Sequence, residues 1–172
     1  FPPADREMPS AFQLPLCIGA LCNDTKVNEE VPGKYIGDPT ETALVAAAEV
    51  VGIRKKDLAV ALPRILEIPF DSERKRMSTI HEVRQESLPG TEEFQGHPHV
   101  VLTKGAVDSL MKVSSGIWTL DGVVALDEAW RDRILEANQQ YAQKGIRVLG
   151  LAYKGLDALT PDAGALSTER DL

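Results

Sequence analysis

The stretch Ile68-Pro69-Phe70-Asp71-Ser72-Glu73-Arg74-Lys75-Arg76-Met77-Ser78-Thr79-Ile80 decides the fold. An apolar strand ends at Phe70. Turn-prone or charged residues follow from Asp71 to Arg74, and a second strand begins at Lys75. Alternation puts Lys75, Met77 and Thr79 on one face and Arg76, Ser78 and Ile80 on the other. The expected hairpin sets an aromatic ring at a strand end, beside a lysine and a thioether. A flat ring, a soft sulfur and a cation suit a ligand with a planar base and an anionic tail. The plain alternative is an edge hairpin with a solvated basic turn, Arg74 and Arg76 included.

Working outward, Gly37-Asp38-Pro39-Thr40-Glu41-Thr42-Ala43-Leu44 reads as a helix start. Asp38 is a good N-cap, Pro39 suits the first helical position, and Glu41 completes a capping box. Leu44, Ala47, Ala48 and Val51 form the apolar stripe, and Gly52 ends the helix. For Asp38 and Glu41, capping and ligand contact are compatible readings. Ser10 to Cys22 reads as an earlier helix in which Pro15 either sits in the first turns or kinks it, and residues 55–62 as a short helix before Pro63. Pro32-Gly33 signals a turn. Residues 84–98, rich in Gly, Pro and Glu, read as a surface loop. His97 and His99 flank Pro98 there, without the further partners a metal site needs.

His99 to Thr103 reads as a strand running into Lys104-Gly105-Ala106, followed by a helix that buries Val107, Leu110 and Met111. Gly105 would let something approach the backbone closely. Asp121-Gly122 signals a hairpin between residues 117–120 and 123–126. Asp127 caps a longer helix carrying Trp130, Ile134 and Tyr141, which Gly145 ends. Residues 146–153 read as a final strand with Arg147, Leu149 and Leu151 on one face. The polar tail from Gly155 is expected to loop away. The reading is one α+β domain over 1–172: an antiparallel sheet of about six to seven strands flanked by helices, with linker-like ends at 1–9 and 156–172.

With 172 residues the chain can bury a sizeable core. It is 43% hydrophobic and 26% charged, ordinary globular proportions. A net charge of -7 argues against wrapping nucleic acid or an anionic membrane, so a bound anion needs a local cationic cluster. No run of 18 apolar residues occurs. Cys17 and Cys22 are too few for a disulfide scaffold and read as reduced core residues. The opening Phe1-Pro2-Pro3, without an initiator Met, reads as part of a longer chain.

The phosphate-cradling motifs G-x-x-x-x-G-K-S/T and G-x-G-x-x-G are absent, as are zinc, G-x-S-x-G and H-E-x-x-H patterns. The signal lies in four separated segments: Gly37–Leu44, P-F-D-S-E-R-K-R-M-S (Pro69–Ser78), L-T-K-G-A (Leu102–Ala106) and G-I-R-V-L-G-L-A (Gly145–Ala152). In this order they resemble the nucleotide-binding domain of P-type cation-transporting ATPases, closest to the calcium-pump-like group. Leu21-Cys22-Asn23-Asp24 also fits that family. The resemblance spans about residues 10 to 155.

The resemblance implies a site for ATP carried with Mg2+. Phe70 looks like the ring on which adenine stacks, with Met77 packing near it. Lys75 looks like the lysine lining the path from base to phosphates, and Lys104 with Gly105 like the pocket base. Glu41, with Asp38 and Thr40, looks like the acidic edge meeting the adenine amino group or a metal. Arg147 looks like the arginine reaching the phosphates, and Leu149 closes the apolar side. Two positions depart from the family. Ser72 stands where many calcium pumps carry an arginine, and K-G-A-P-E appears as Lys104-Gly105-Ala106-Val107-Asp108. These favour an alternative of another class, a regulatory module of the same fold without nucleotide affinity.

The family's D-K-T-G-T, T-G-D and G-D-G-x-N-D segments are not in this sequence. The resemblance therefore implies a nucleotide-binding insert of a membrane pump, with no catalytic residue and no protein metal site of its own. It would lie at the cytoplasmic face as a monomer in isolation. Its partners would be the pump's own phosphorylation, actuator and transmembrane domains. A stand-alone ATP hydrolase would need a nucleophile or metal cluster that the sequence does not offer.

Overall fold

The computed structural model describes residues 10–28, 31, 33–84, 88–159 and 165–172. The expected linker at 1–9, and Pro32 of the expected turn, lie outside the described residues. In chain order the elements are α1 (Ser10–Leu21), β1 (Lys26–Val27), β2 (Tyr35–Ile36), α2 (Pro39–Val50), α3 (Lys55–Ala61), β3 (Arg64–Asp71) and β4 (Arg76–Glu82). A short 3-10 turn (Glu92–Phe94) follows. Then come β5 (His99–Gly105), α4 (Val107–Met111), β6 (Gly116–Thr119), β7 (Gly122–Ala125), α5 (Glu128–Gln143), β8 (Gly150–Leu156) and α6 (Ala165–Thr168).

The class is α+β and every strand pair is antiparallel. The strands divide differently from expectation. Four form the central sheet, in the order β3-β4-β5-β8, while β1-β2 and β6-β7 are separate two-stranded ribbons. The two ribbons pair only within themselves, so they add strands without widening the sheet.

Strand β4 is buried from Arg76 through His81, because both faces of the sheet are covered. On one side Met77, Val100 and Leu102 pack with Leu14, Ile18 and Leu58 of the helical layer. On the other, Ile80 and Val101 pack with Leu110 and Leu172. The expected helices over 10–22, 38–52, 55–62 and 127–145 form within one or two residues of their predicted ends. Pro15 is accommodated inside α1. Val45 is fully buried in α2 although it lies outside the predicted stripe. Cys17 and Cys22 are free and buried, and burial pushes the Cys17 thiol up to about 12.

Several expectations are corrected. Lys75 belongs to the turn, with a left-handed φ of 53°, and β4 begins at Arg76. Arg74 and Arg76 are not solvated: Arg74 is half-buried and Arg76 buried, because both reach the buried carboxylate of Glu169. Residues 165–172 thus fold back onto the sheet rather than looping away, with Thr168, Glu169 and Leu172 buried. The segment read as a surface loop buries Gly90, Thr91 and Phe94; residues 85–87 lie outside the described ones. The small hairpin turns on Leu120-Asp121, because Thr119 pairs with Gly122. Strand β8 starts at Gly150 and leaves Arg147 and Leu149 in the preceding segment.

His81 ties β4 to the end of α3. Its Nδ1 donates to the Leu62 carbonyl at 2.7 Å, which leaves Nε2 to accept from the Thr79 hydroxyl at 2.8 Å. Burial holds the ring neutral, pushing its pKa down from 6.5 to about 4. The unfolded chain therefore binds the extra proton first, and stability is lost as pH falls through 6.5 toward 4. Integrated from pH 7 to pH 5, this one group should cost about 2 kcal/mol. Urea unfolding at the two pH values, in the native chain and in His81→Gln, measures it. The native chain should show the larger pH-dependent loss.

Candidate functional site

The loop between α1 and β1 is the template on which the site is built. Asn23, 1% exposed, donates from Nδ2 to the carbonyls of Gly19 (3.0 Å) and Glu41 (2.9 Å). Its Oδ1 accepts the Thr25 amide at 2.8 Å. Two cations hold the loop from beneath. Lys55 Nζ donates to the carbonyls of Asn23 (2.6 Å) and Thr25 (2.8 Å). Arg64 donates to the Asn23 and Leu21 carbonyls and pairs with Asp24 at 2.7 Å. Burial, then repulsion from Arg64, pushes the Lys55 ammonium down to about 8. The loop thereby fixes the first turn of α2, which carries three predicted site residues.

Asp38 is the N-cap of α2, as the sequence suggested, and accepts the Thr40 amide at 2.8 Å. That bond holds its carboxyl below the usual carboxylate range, with Arg147 contributing. Glu41 does not close a capping box. One carboxylate oxygen accepts the Asp24 amide at 3.1 Å, and the other pairs with Lys104 Nζ. The reason is the depth of the site: Lys104 is buried on β5 and needs an anion, and Glu41 is within reach.

Lys104 is the strand partner of Met77 on one side and of Leu151 on the other. Gly105 lies opposite Arg76, and a Cβ there would stand 2.5 Å from the Lys75 carbonyl oxygen. The close approach that requires glycine is thus made by the chain's own hairpin turn. The Ala106 amide completes the junction by donating to the Lys75 carbonyl at 2.9 Å.

Phe70 stands at the end of β3, 62% exposed, and Ser72 and Lys75 are exposed in the turn after it. The turn closes through the Lys75 amide donating to the Asp71 carbonyl at 2.6 Å. Arg147, exposed, donates to the Thr40 hydroxyl at 3.4 Å. Leu149 is half-buried and precedes Gly150, the strand partner of Gly105.

Two side-chain contacts, Arg147 with Thr40 and Glu41 with Lys104, together with the chain linkage of Thr40 to Glu41 and of Lys104 to Gly105 and the pairing of Lys104 with Met77, connect these residues. Phe70 and Ser72 join them through the turn backbone. The exposed cations are Lys75 and Arg147; Lys104 is committed to Glu41. Asn23, Lys55 and Arg64 were not predicted. Asn23 was within reach as part of Leu21-Cys22-Asn23-Asp24, whereas Lys55 and Arg64 grip main-chain carbonyls and leave no sequence signature. Among the described residues no cluster of three or more His, Cys, Asp or Glu could hold a metal. An apolar cavity of roughly 470 Å³ lies between Leu14 and Ile18 of α1, Leu110 of α4 and Trp118 of β6, and is lined by none of the predicted site residues.

Residues 12–171 match the family model described as P-type ATPase, cytoplasmic domain N. The chain is 37% identical over 135 residues to calcium-transporting ATPase 1 of Lactococcus lactis, covering 78% of this chain and 14% of that protein. It is 37% identical over 150 residues to a calcium-transporting ATPase of Bacillus subtilis, covering 86% of this chain and 15% of that protein. To probable cation-transporting ATPase F of Mycobacterium tuberculosis it is 34% identical over 154 residues, 89% of this chain and 15% of the relative. The chain thus spans about one-seventh of the length of the relatives it matches.

Proposed function

This chain belongs to the P-type ATPase family, as its cytoplasmic domain N, and from that premise we propose that it binds ATP carried with Mg2+. It presents the γ-phosphate to an aspartate on a separate phosphorylation domain of the same pump. In the full-length protein, phosphorylation and its reversal would drive cation transport. By likeness to the named relatives, calcium is the proposed ion. The chain alone would bind nucleotide without completing turnover. Its partners are the pump's phosphorylation, actuator and transmembrane domains, and its place is the cytoplasmic face of the membrane. No helix among the described residues is long and apolar enough to cross a membrane.

The observation that carries this reading is Phe70. Phe70 is 62% exposed at the end of β3, an edge strand of the central sheet, and the exposed Lys75 lies in the turn that follows it, so one hairpin end offers an aromatic face and a cation together. Adenine stacks on Phe70, Lys75 and Arg147 steer the phosphates, and Met77 and Leu149 supply the apolar floor. Lys104 and Glu41 act as an ion pair whose carboxylate accepts from the adenine amino group. Asp38, Thr40 and Ser72 rim the site, and Gly105 sets the turn close to β5. With no loop cradling the phosphates, affinity should be millimolar or somewhat tighter, about 4–5 kcal/mol.

Phe70→Ala should weaken ATP binding about tenfold, the worth of one base–aromatic stack. It should leave stability within about 0.5 kcal/mol, because the ring is exposed. ATP titration of the labelled chain by NMR measures the first and urea unfolding the second. Shifts clustering away from Phe70, Lys75, Lys104 and Arg147 would overturn the site. Ser72 favours the second reading, a regulatory module without nucleotide affinity. No thermal stabilisation at high ATP concentration would support that reading instead.

A further inference from the structure

Lys75 is flanked by two arginines that point elsewhere. The side chain of Glu169 is 0% exposed, and each of its oxygens accepts from Arg74 Nη1 at 2.7 Å. Arg76 Nε donates to the same carboxylate at 2.7 Å, and the Ser78 hydroxyl does so at 2.7 Å. Because Ser78 spends its one proton on Glu169, its 2.8 Å contact with Thr103 must be donated by Thr103. The backbone is bound as well. Arg74 Nη2 donates to the Pro69 carbonyl at 2.7 Å, and Ser109 Oγ donates to the Arg74 carbonyl while accepting from Arg76 Nη1.

One buried carboxylate from the end of the chain therefore holds both neighbours of Lys75 and, through Pro69, the residue before Phe70. A left-handed lysine is disfavoured by the clash of its Cβ with the following carbonyl, so Lys75 keeps φ at 53° only while its neighbours are pinned. With Arg74 and Arg76 drawn onto Glu169, Lys75 is the one of the three cations left exposed.

We propose that Glu169 is a positioning residue for nucleotide binding: it clamps Arg74 and Arg76, holds Phe70 and Lys75 in ligand-ready positions, and couples segment 165–172 to occupancy of the site. The proposal rests on the ATP reading above. Coupling between two sites is reciprocal, so ATP at the turn must also tighten the segment that supplies Glu169.

Hydrogen exchange on the unmodified chain tests the coupling. Saturating ATP should slow the amides of 165–172 more than those of 132–139, the middle of α5, which supplies none of the groups bonded to Glu169. Equal slowing of both would overturn the proposal. Glu169→Gln keeps the shape and removes the charge. It should raise the Kd for ATP about fivefold and abolish the selective protection of 165–172. A merely structural Glu169 would lower the melting temperature without that selective loss. If Glu169→Gln does not fold, the exchange comparison on the native chain decides. ATP binding that Phe70→Ala weakens and Glu169→Gln leaves unchanged overturns this proposal alone. No ATP-dependent change anywhere in the native chain removes the ATP reading and this proposal with it.

Discussion

Lys104→Ala should lower the unfolding free energy by about 3 kcal/mol, because it strands the Glu41 carboxylate in a place water barely reaches. The two side chains are only 10% and 16% exposed. Removing one partner of a buried pair costs the desolvation of the other, and the Asp24 amide alone does not offset that. Against a typical total of about 5–15 kcal/mol, the loss is large. Urea unfolding at pH 7 measures it, and added salt should change it little, since a buried pair is poorly screened. Replacing both residues, Lys104→Met with Glu41→Leu, should recover most of the loss, because no charge is then left unpaired. A Lys104→Ala chain within about 1 kcal/mol of native would mean that the pair is not formed in solution. This result also governs how binding data are read. On the proposed reading, weaker ATP binding by Lys104→Ala would include the effect of a disturbed α2 start, whereas Phe70→Ala, at an exposed ring, would not.

Phe94→Ala should cost about 3–5 kcal/mol, as large a loss as any single truncation in the core. The ring is 0% exposed and meets Tyr153 edge-on, with centroids 5.6 Å apart and planes at 65°. It closes the end of the main core against Val100 and the helical layer. For a chain of this length the melting temperature should fall by about 10 °C, read by calorimetry. The control is Phe12→Ala, a ring 59% exposed, which should stay within about 0.5 kcal/mol of native. Similar effects for the two would mean that residues 88–94 do not pack on the sheet as described.

The contrast between Phe94 and Phe12 shows where sequence reading reaches its limit. Both are phenylalanines beside polar residues. Phe94 sits in a segment rich in Gly, Pro and Glu, and periodicity finds no buried face in a single 3-10 turn. The helices were legible because their signals are local: Asp38 and Asp127 cap with their own side chains, and Gly52 and Gly145 take positive φ just past the ends. The hairpin of β3 and β4 was legible from its charged turn. The start of β8 was not, because strand character at 146–149 cannot form without a neighbour, and β5 ends at Gly105, opposite Gly150.

The site divides in the same way. The family was recognisable from four segments in a characteristic order, and residues 12–171 match its model. The roles of the site residues toward one another were not recognisable. Glu41 has the spacing of a capping-box residue, yet it serves Lys104, 63 positions away. Arg74 and Arg76 have the look of solvated turn residues, yet they are held by Glu169, 95 and 93 positions away.

By itself, then, the amino-acid order determined the element types, the antiparallel α+β class and the family to which the chain belongs, because caps, turns and alternation act between neighbours in the chain. Only the tertiary structure decided which charges are free and which are spent. A carboxylate chooses its cation by proximity in space and by the cost of remaining unpaired away from water. That left Lys75 and Arg147 exposed, and it buried Lys104, Arg76 and Glu169 in ion pairs.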